Sequence, residues 1–306
     1  MNISALFHLQ IMMFLLMGTG ILLRKKNIIT PEGKKCLTDL IIDLLLPCNI
    51  IHSFCVRLSQ EILVSCIQIL FVSIALQLLC VLIAATAYRR VPKQQRMCLQ
   101  FGTVCSNSVF LGNPVAEGLY GSLGLLYASV YVVPVRMVVW SVGVSYFTQS
   151  PDFKSLMKKV LTHPCIIAVE IGVVLMVTQA PLPLFLDKSI TALSNCITAI
   201  TMLFIGTVLA DAGVNGVITP TTLGFSFVRL IAIPTIVLLG CLIFHVNEVA
   251  AGVAVVLAAM PAGTTTAILA SKYNGDEAFA SRCIVLTTVL SMAMLPLWCM
   301  ILNTLF

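Results

Sequence analysis

The chain has 306 residues, 59% of them hydrophobic and only 10% charged, with a mean hydropathy of +1.05. A soluble domain carries about a quarter charged residues, so this composition excludes one and points to the lipid bilayer. The formal net charge of +6 does not imply a nucleic-acid partner, because the basic residues fall in short loops between apolar runs.

Stretches long enough for the roughly 30 Å hydrocarbon core predict ten spans, at 3–23, 37–56, 62–87, 98–119, 123–147, 164–180, 189–210, 222–244, 249–271 and 278–303. The N-terminus, MNISALFHLQ, has no basic region and no small-residue cleavage site after its apolar run, so it reads as a retained span rather than a signal peptide. Span 2 carries Asp43 and, just after Pro47, Asn49. Span 4 holds 107-NSVFLGNPVAEGLYG-121, with two Asn, three Gly, a Pro and a Glu in an otherwise apolar chain. Span 5 carries Arg136, span 6 Glu170 and span 8 Arg229, and span 9 contains 259-AMPAGTTTAILASKY-273.

Fourteen of the eighteen basic residues lie in the alternating loops 24–36, 88–97, 148–163, 211–221 and 272–282. The positive-inside rule makes these loops cytoplasmic and puts both termini outside, an orientation expected in the plasma membrane. The loop 148–163 falls at the midpoint and divides the chain into a first five-span repeat, 1–147, and a second, 164–306. An odd number of spans per repeat inverts one repeat relative to the other, a frequent plan among secondary transporters.

The repeats correspond in one specific way. Spans 4 and 9 are both interrupted, by Pro114 and Pro261, 147 residues apart. A helix-interior Pro costs about 3 kcal/mol, and in lipid the freed backbone groups need protein or water to satisfy them. Pro is also a good first helical residue. Each break is therefore expected to begin a new helix at the proline, within the membrane. Helix starts carry unpaired amides and roughly half a positive charge, so two of them meeting near the midplane would bind a carboxylate. Asn107, Asn113 and Pro114 would supply one side, and Pro261, Gly263, Thr264, Thr265 and Thr266 the other. The alternative is a pair of kinks that only shape packing.

Intramembrane charges are functional candidates by default. Two readings stand at Arg136: a bidentate grip on a second substrate carboxylate, or a structural ion pair with Asp43 or Glu170. Those two carboxylates are themselves possible proton carriers, since burial raises a carboxyl pKa. Arg229, near the cytoplasmic end of its span, is expected to snorkel. Asn49 either faces the site or makes a helix–helix hydrogen bond.

The twelve Cys are scattered without a C-x-x-C pair, and the four His lie apart near span ends, so no metal site is expected. No nucleotide-binding loop, catalytic constellation or cofactor motif is present, and an enzyme is not expected.

Asn107 with Gly112-x-Pro114 and Tyr120-Gly121, the run 260-MPAGTTTAILASKY-273 and the run 287-TTVLSMAMLP-296 resemble the auxin efflux carrier family. That family comprises plant auxin exporters and bacterial relatives described as malonate, malate or oxalate transporters. The resemblance covers all ten spans. It implies an all-α integral membrane fold of ten helices in two inverted five-helix repeats, with broken helices 4 and 9 crossing. Spans 1, 2, 6 and 7 would be a scaffold, and spans 3–5 and 8–10 a transport domain that moves like an elevator. It further implies a homodimer joined through the scaffold, with Asn107, Pro114 and Pro261 lining a carboxylate site and Asn195 facing it from the scaffold. The long loop that carries phosphorylation control in the plant proteins is absent here, and Asn113 stands where those proteins are often apolar, which argues against auxin itself. The expected function is secondary transport of a small organic anion. A sodium-coupled symporter of the bile-acid type is one alternative, although the crossover carries only Glu117 where sodium sites cluster oxygen ligands. A transporter-like receptor without net flux is another.

Overall fold

The computed structural model describes residues 3–147, 161–211 and 216–305. The basic residues Lys154, Lys158 and Lys159 of the midpoint loop lie outside the described residues. The chain is helical, in the order α1 (Ile3–Lys25), α2 (Pro31–Phe54), α3 (Gln60–Thr86), α4 (Lys93–Val104), α5 (Ser108–Gly143), α6 (Pro164–Thr178), α7 (Leu184–Asp211), α8 (Pro220–Ile243), α9 (Glu248–Ala258), α10 (Thr265–Lys272) and α11 (Glu277–Leu305). Among the described residues α2, α3, α5, α7, α8 and α11 are long and apolar enough to cross a bilayer.

Local chemistry sets the ends. The side chain of Thr30 accepts from the Gly33 amide and Pro31 opens α2, so this helix starts well before the apolar run that predicts span 2. Thr219 and Thr222 form a capping box at α8, and Asn247 accepts from the first amides of α9. Three prolines inside spans, Pro47, Pro114 and Pro234, each follow a π-helical turn by two residues, at Ile41–Leu45, Ser108–Gly112 and Val228–Ala232. The wider turn makes room for a ring that would collide with the preceding turn of a regular helix. Pro234 leaves the carbonyl of Leu230 without its intrahelical donor, and the Trp298 indole N–H donates to it at 2.9 Å.

Within α5, Gly121 has φ +64° and ψ −151°. There the chain turns back on itself, because a Cβ on Gly124 would collide with the carbonyl of Ala116. In a straight helix those residues lie about 12 Å apart. α5 thus has two arms, 108–120 and 122–143, folded against each other at Gly121.

α1 packs on α7, and α2 packs on α6 and α7. The first of these contacts is close because Gly20 and Gly206 face the partner backbone, and a Cβ at either would strike a carbonyl oxygen, of Leu203 or Met17. α3 packs on α4 and α5, α9 on α5, α8 and α11, and α10 on α4 and α11. The two sets meet chiefly where α2 lies against α5. Apolar side chains such as Leu15, Phe71 and Leu78 point outward, while Asn49, Asn107, Asn113 and Arg229 are buried, the distribution expected of a protein solvated by lipid.

Candidate functional site

The chain is non-helical between α4 and α5, at 105–107, and between α9 and α10, at 259–264. Neither new helix begins at its proline, contrary to the sequence expectation. The first starts at Ser108 with the π turn that makes room for Pro114 two residues later; the second starts at Thr265, and Pro261 lies within the break itself. The physical reason is that the two breaks pair with each other. The Asn107 amide donates to Pro261 O and the Gly263 amide to Cys105 O, both at 2.8 Å, in an antiparallel bridge centred on Ser106 and Ala262. The Ala262 amide donates to the Thr287 hydroxyl at 3.2 Å, and that hydroxyl donates in turn to Cys283 O. Backbone groups freed by both breaks thus find partners inside the protein, which is the condition for irregular backbone at membrane depth.

Arg229 completes this arrangement and is the largest departure from the sequence reading. It is 2% exposed and does not snorkel. Its Nε donates to Met260 O at 3.0 Å and its Nη1 to Thr103 O at 3.4 Å, so one guanidinium closes the C-terminal ends of the helices that lead into both breaks. A cation there meets the negative ends of α4 and α9, and its two donors satisfy carbonyls that no helix can.

On the other side of the bridge lie the starts of α5 and α10. A cavity of about 30 Å³ there is lined by Asn107 and Ser108, by Gly263, Thr264 and Thr265, and by Arg136 from the second arm of α5. Phe110 and Trp140 supply its apolar wall. First-turn amides have no intrahelical acceptors, and neither Asn107 nor Thr264 caps its helix with a side chain. Asn107 Oδ1, Ser108 Oγ, Thr266 Oγ1 and Arg136 Nε are buried without a hydrogen-bond partner. Arg136 makes no ion pair with Asp43 or Glu170, the structural role weighed in the sequence. The ion pairs among the described residues join Asp211 to Arg24 at 2.6 Å and to Lys34 at 2.7 Å.

A larger cavity, of about 930 Å³, runs between α2, α7, α10 and α11 from a mouth bearing Lys34, Lys35 and Lys272 and, beside them, Asp39, Asp211 and Glu277. Phe110, Thr264 and Thr265 line both cavities and so form the wall between them. The Phe110 ring rests against Phe204 of α7, with centroids 5.6 Å apart.

Other residues singled out in the sequence sit elsewhere. Asn113 and Pro114 are buried in the turns after the cavity, and Asn113 Oδ1 has no partner. Asn195 is exposed, and the structure does not bring it to the crossover; its neighbour Ser194 is the inward residue of that turn. Asn49 is buried and donates to Ser194 Oγ at 2.9 Å and to Glu117 Oε2 at 3.3 Å, so it makes the helix–helix bonds. Asp43 and Glu170 are exposed on the outer faces of α2 and α6. Sequence reasoning missed Ser108, Phe110 and the role of Arg229; an intramembrane Arg just before Pro234 was the available signal.

A family described as membrane transport proteins matches residues 5–299 of this chain. The chain belongs to that family. The membrane transport protein family is the auxin efflux carrier-like group that the motifs of spans 4 and 9 suggested. One relative is an uncharacterized transporter of Methanothermobacter thermautotrophicus, 27% identical over 197 residues that cover 64% of this chain and 65% of that protein, just under two thirds of its length. Another is an uncharacterized transporter of Methanocaldococcus jannaschii, 22% identical over 289 residues, or 89% of this chain and 91% of that protein. The family and both relatives are membrane transporters, not enzymes.

Proposed function

We propose that the protein is a secondary transporter of a small organic anion, whose carboxylate is held at the crossover between α4/α5 and α9/α10. The observation that carries this reading is the small cavity in which two helix starts, Asn107, Ser108, Thr264, Thr265 and the unpaired Arg136 converge. Two helix dipoles and a guanidinium make a site whose uncompensated charge is positive. With Arg136 in addition to the helix starts, the site suits a dicarboxylate such as malonate, malate or oxalate.

In this reading the helices make ten crossings in two inverted halves, 1–147 and 164–306. The set α1, α2, α6 and α7 is the scaffold, and the rest moves past it as a unit. Support comes from the packing, in which the two sets are each internally connected and meet chiefly at α2 and α5. The mouth of the large cavity, with Lys34, Lys35 and Lys272 beside Asp39, Asp211 and Glu277, faces the cytoplasm of a plasma-membrane protein with both ends outside. A cavity of about 30 Å³ admits roughly one water-sized group, so entry of an anion requires Phe110 to leave Phe204. Exposed carboxylates at Asp43 and Glu170 on the scaffold are costly against lipid, which favours a homodimer that covers this face.

The test is counterflow of labelled malonate, malate, oxalate and indole-3-acetate in proteoliposomes, with sodium and without. Saturable, sodium-independent flux of one anion, lost in Asn107→Ala while the variant elutes as a folded species, supports the reading. Binding without flux would turn it towards a receptor.

A further inference from the structure

The interface between α2 and the first arm of α5 holds a polar group that anion binding does not use. Glu117 lies one turn beyond Asn113, at i+4 and so on the same helix face. Asn49 of α2 donates to Glu117 Oε2 at 3.3 Å and to Ser194 Oγ of α7 at 2.9 Å, so one amide links the α5 carboxyl to both neighbouring helices. Asn49 Oδ1 is buried and has no partner, and neither has His52 Nδ1, one turn further along α2. No lysine or arginine pairs with Glu117 among the described residues. The titratable and charged side chains on the helices around it include His52 of α2, Glu61 of α3, Glu170 of α6, Asp187 and Lys188 of α7 and Glu248 of α9. The two carboxylates that the sequence offered as proton carriers, Asp43 and Glu170, are exposed on α2 and α6.

We propose that Glu117 is the proton-binding site of the transporter, and that its protonation releases the contact between α5 and α2 so that anion movement is coupled to a proton. This rests on the transport reading above. Ionised, the carboxylate accepts from Asn49 and is anchored to α2 and, through it, to Ser194. Protonated, the carboxyl is a weaker acceptor for the Asn49 amide, and it loses the charge that is costly to drag along an apolar interface. No covalent bond changes; one proton moves between water and the carboxyl oxygen. Because Asn113 and Glu117 share a face that begins at the crossover, a shift of the first arm of α5 on anion binding moves the carboxyl with it.

The experiment compares, in sodium-free proteoliposomes with the membrane potential clamped, counterflow at equal pH with uptake driven by a proton gradient. Labelled malonate, malate, oxalate and indole-3-acetate are the probes. Wild-type uptake is expected to rise at least several-fold over the no-gradient rate when the gradient is imposed. In Glu117→Gln, which keeps the shape but cannot titrate, the ratio of driven to undriven rate is expected to fall to one. Glu117→Asp should keep a ratio above one. A wild-type ratio of one with brisk counterflow, or an unchanged ratio in Glu117→Gln, overturns the proton site and leaves transport intact. Absence of counterflow for every probe counts against the transport reading instead. In that case the infrared carbonyl band of a protonated carboxylic acid, titrated in wild-type vesicles, decides the matter: its loss in Glu117→Gln supports the site, and its persistence overturns it.

Discussion

Arg229 closes two helix ends that are far apart in sequence, and its replacement exposes what each bond is worth. In Arg229→Met the carbonyls of Met260 and Thr103 lose their donors in a buried site, at about 1–3 kcal/mol each. The variant is expected to melt well below wild type in detergent. Arg229→Lys should fall between, since one ammonium cannot reproduce the fork. Arg136 calls for the opposite outcome. Its Nε has no partner, so Arg136→Gln should leave the melting temperature unchanged or slightly raised. Loss of one charged hydrogen bond to substrate costs roughly 1.5–3 kcal/mol, or about 10- to 150-fold in the concentration of anion that half-saturates flux. A large drop in melting temperature in Arg136→Gln would make it a structural residue.

At the scale of elements, the bridge between the two breaks depends on the absence of a side chain at 263. A Cβ there would lie 2.8 Å from Cys105 Sγ and 3.2 Å from Cys105 O, the oxygen that accepts the Gly263 amide. Gly263→Ala must therefore push the breaks apart, and flux is expected to fall at least tenfold. Adding Cys105→Ala removes the sulfur but leaves the carbonyl, so recovery should be partial. The α1–α7 contact gives a matching test of stability. Gly206→Ala drives a methyl into the carbonyl of Met17 and is expected to destabilise, whereas at Gly224 nothing lies within 4 Å and Ala should be neutral or mildly stabilising. Equal melting temperatures for the two variants would contradict the close packing of α1 on α7.

For the whole molecule, the large cavity implies one-sided access. With the exposed Cys36, Cys55 and Cys196 changed to Ser, a cysteine placed at Ser271 or Ser281 on the cavity wall should react with membrane-impermeant thiol reagents only from the face that bears the basic loops. Labelling from the opposite face alone would reverse the orientation read from Arg24, Lys34, Arg89 and their neighbours.

Composition alone determined that this chain lives in a bilayer, because no soluble core can be built with so few charges. The spacing of apolar runs located the helices, and the polar stretches around Asn107 and Thr264 marked where they break, since amides, glycines and prolines survive at membrane depth only with a purpose. What the sequence left open were contacts made across the fold. Pro114 and Pro261 looked like helix starts, but pairing of the Asn107 and Gly263 amides with the opposite break moved those starts to Ser108 and Thr265. Arg229 looked like a snorkelling residue at a span end, and only packing of α8 against both breaks gave its guanidinium two carbonyls to satisfy. Asn195 and Ser194 are adjacent in sequence, and the rotation of α7 alone decided which of them faces inward. Hydropathy is local and survives in one dimension; hydrogen-bond partners and helix rotation are settled only when the helices pack.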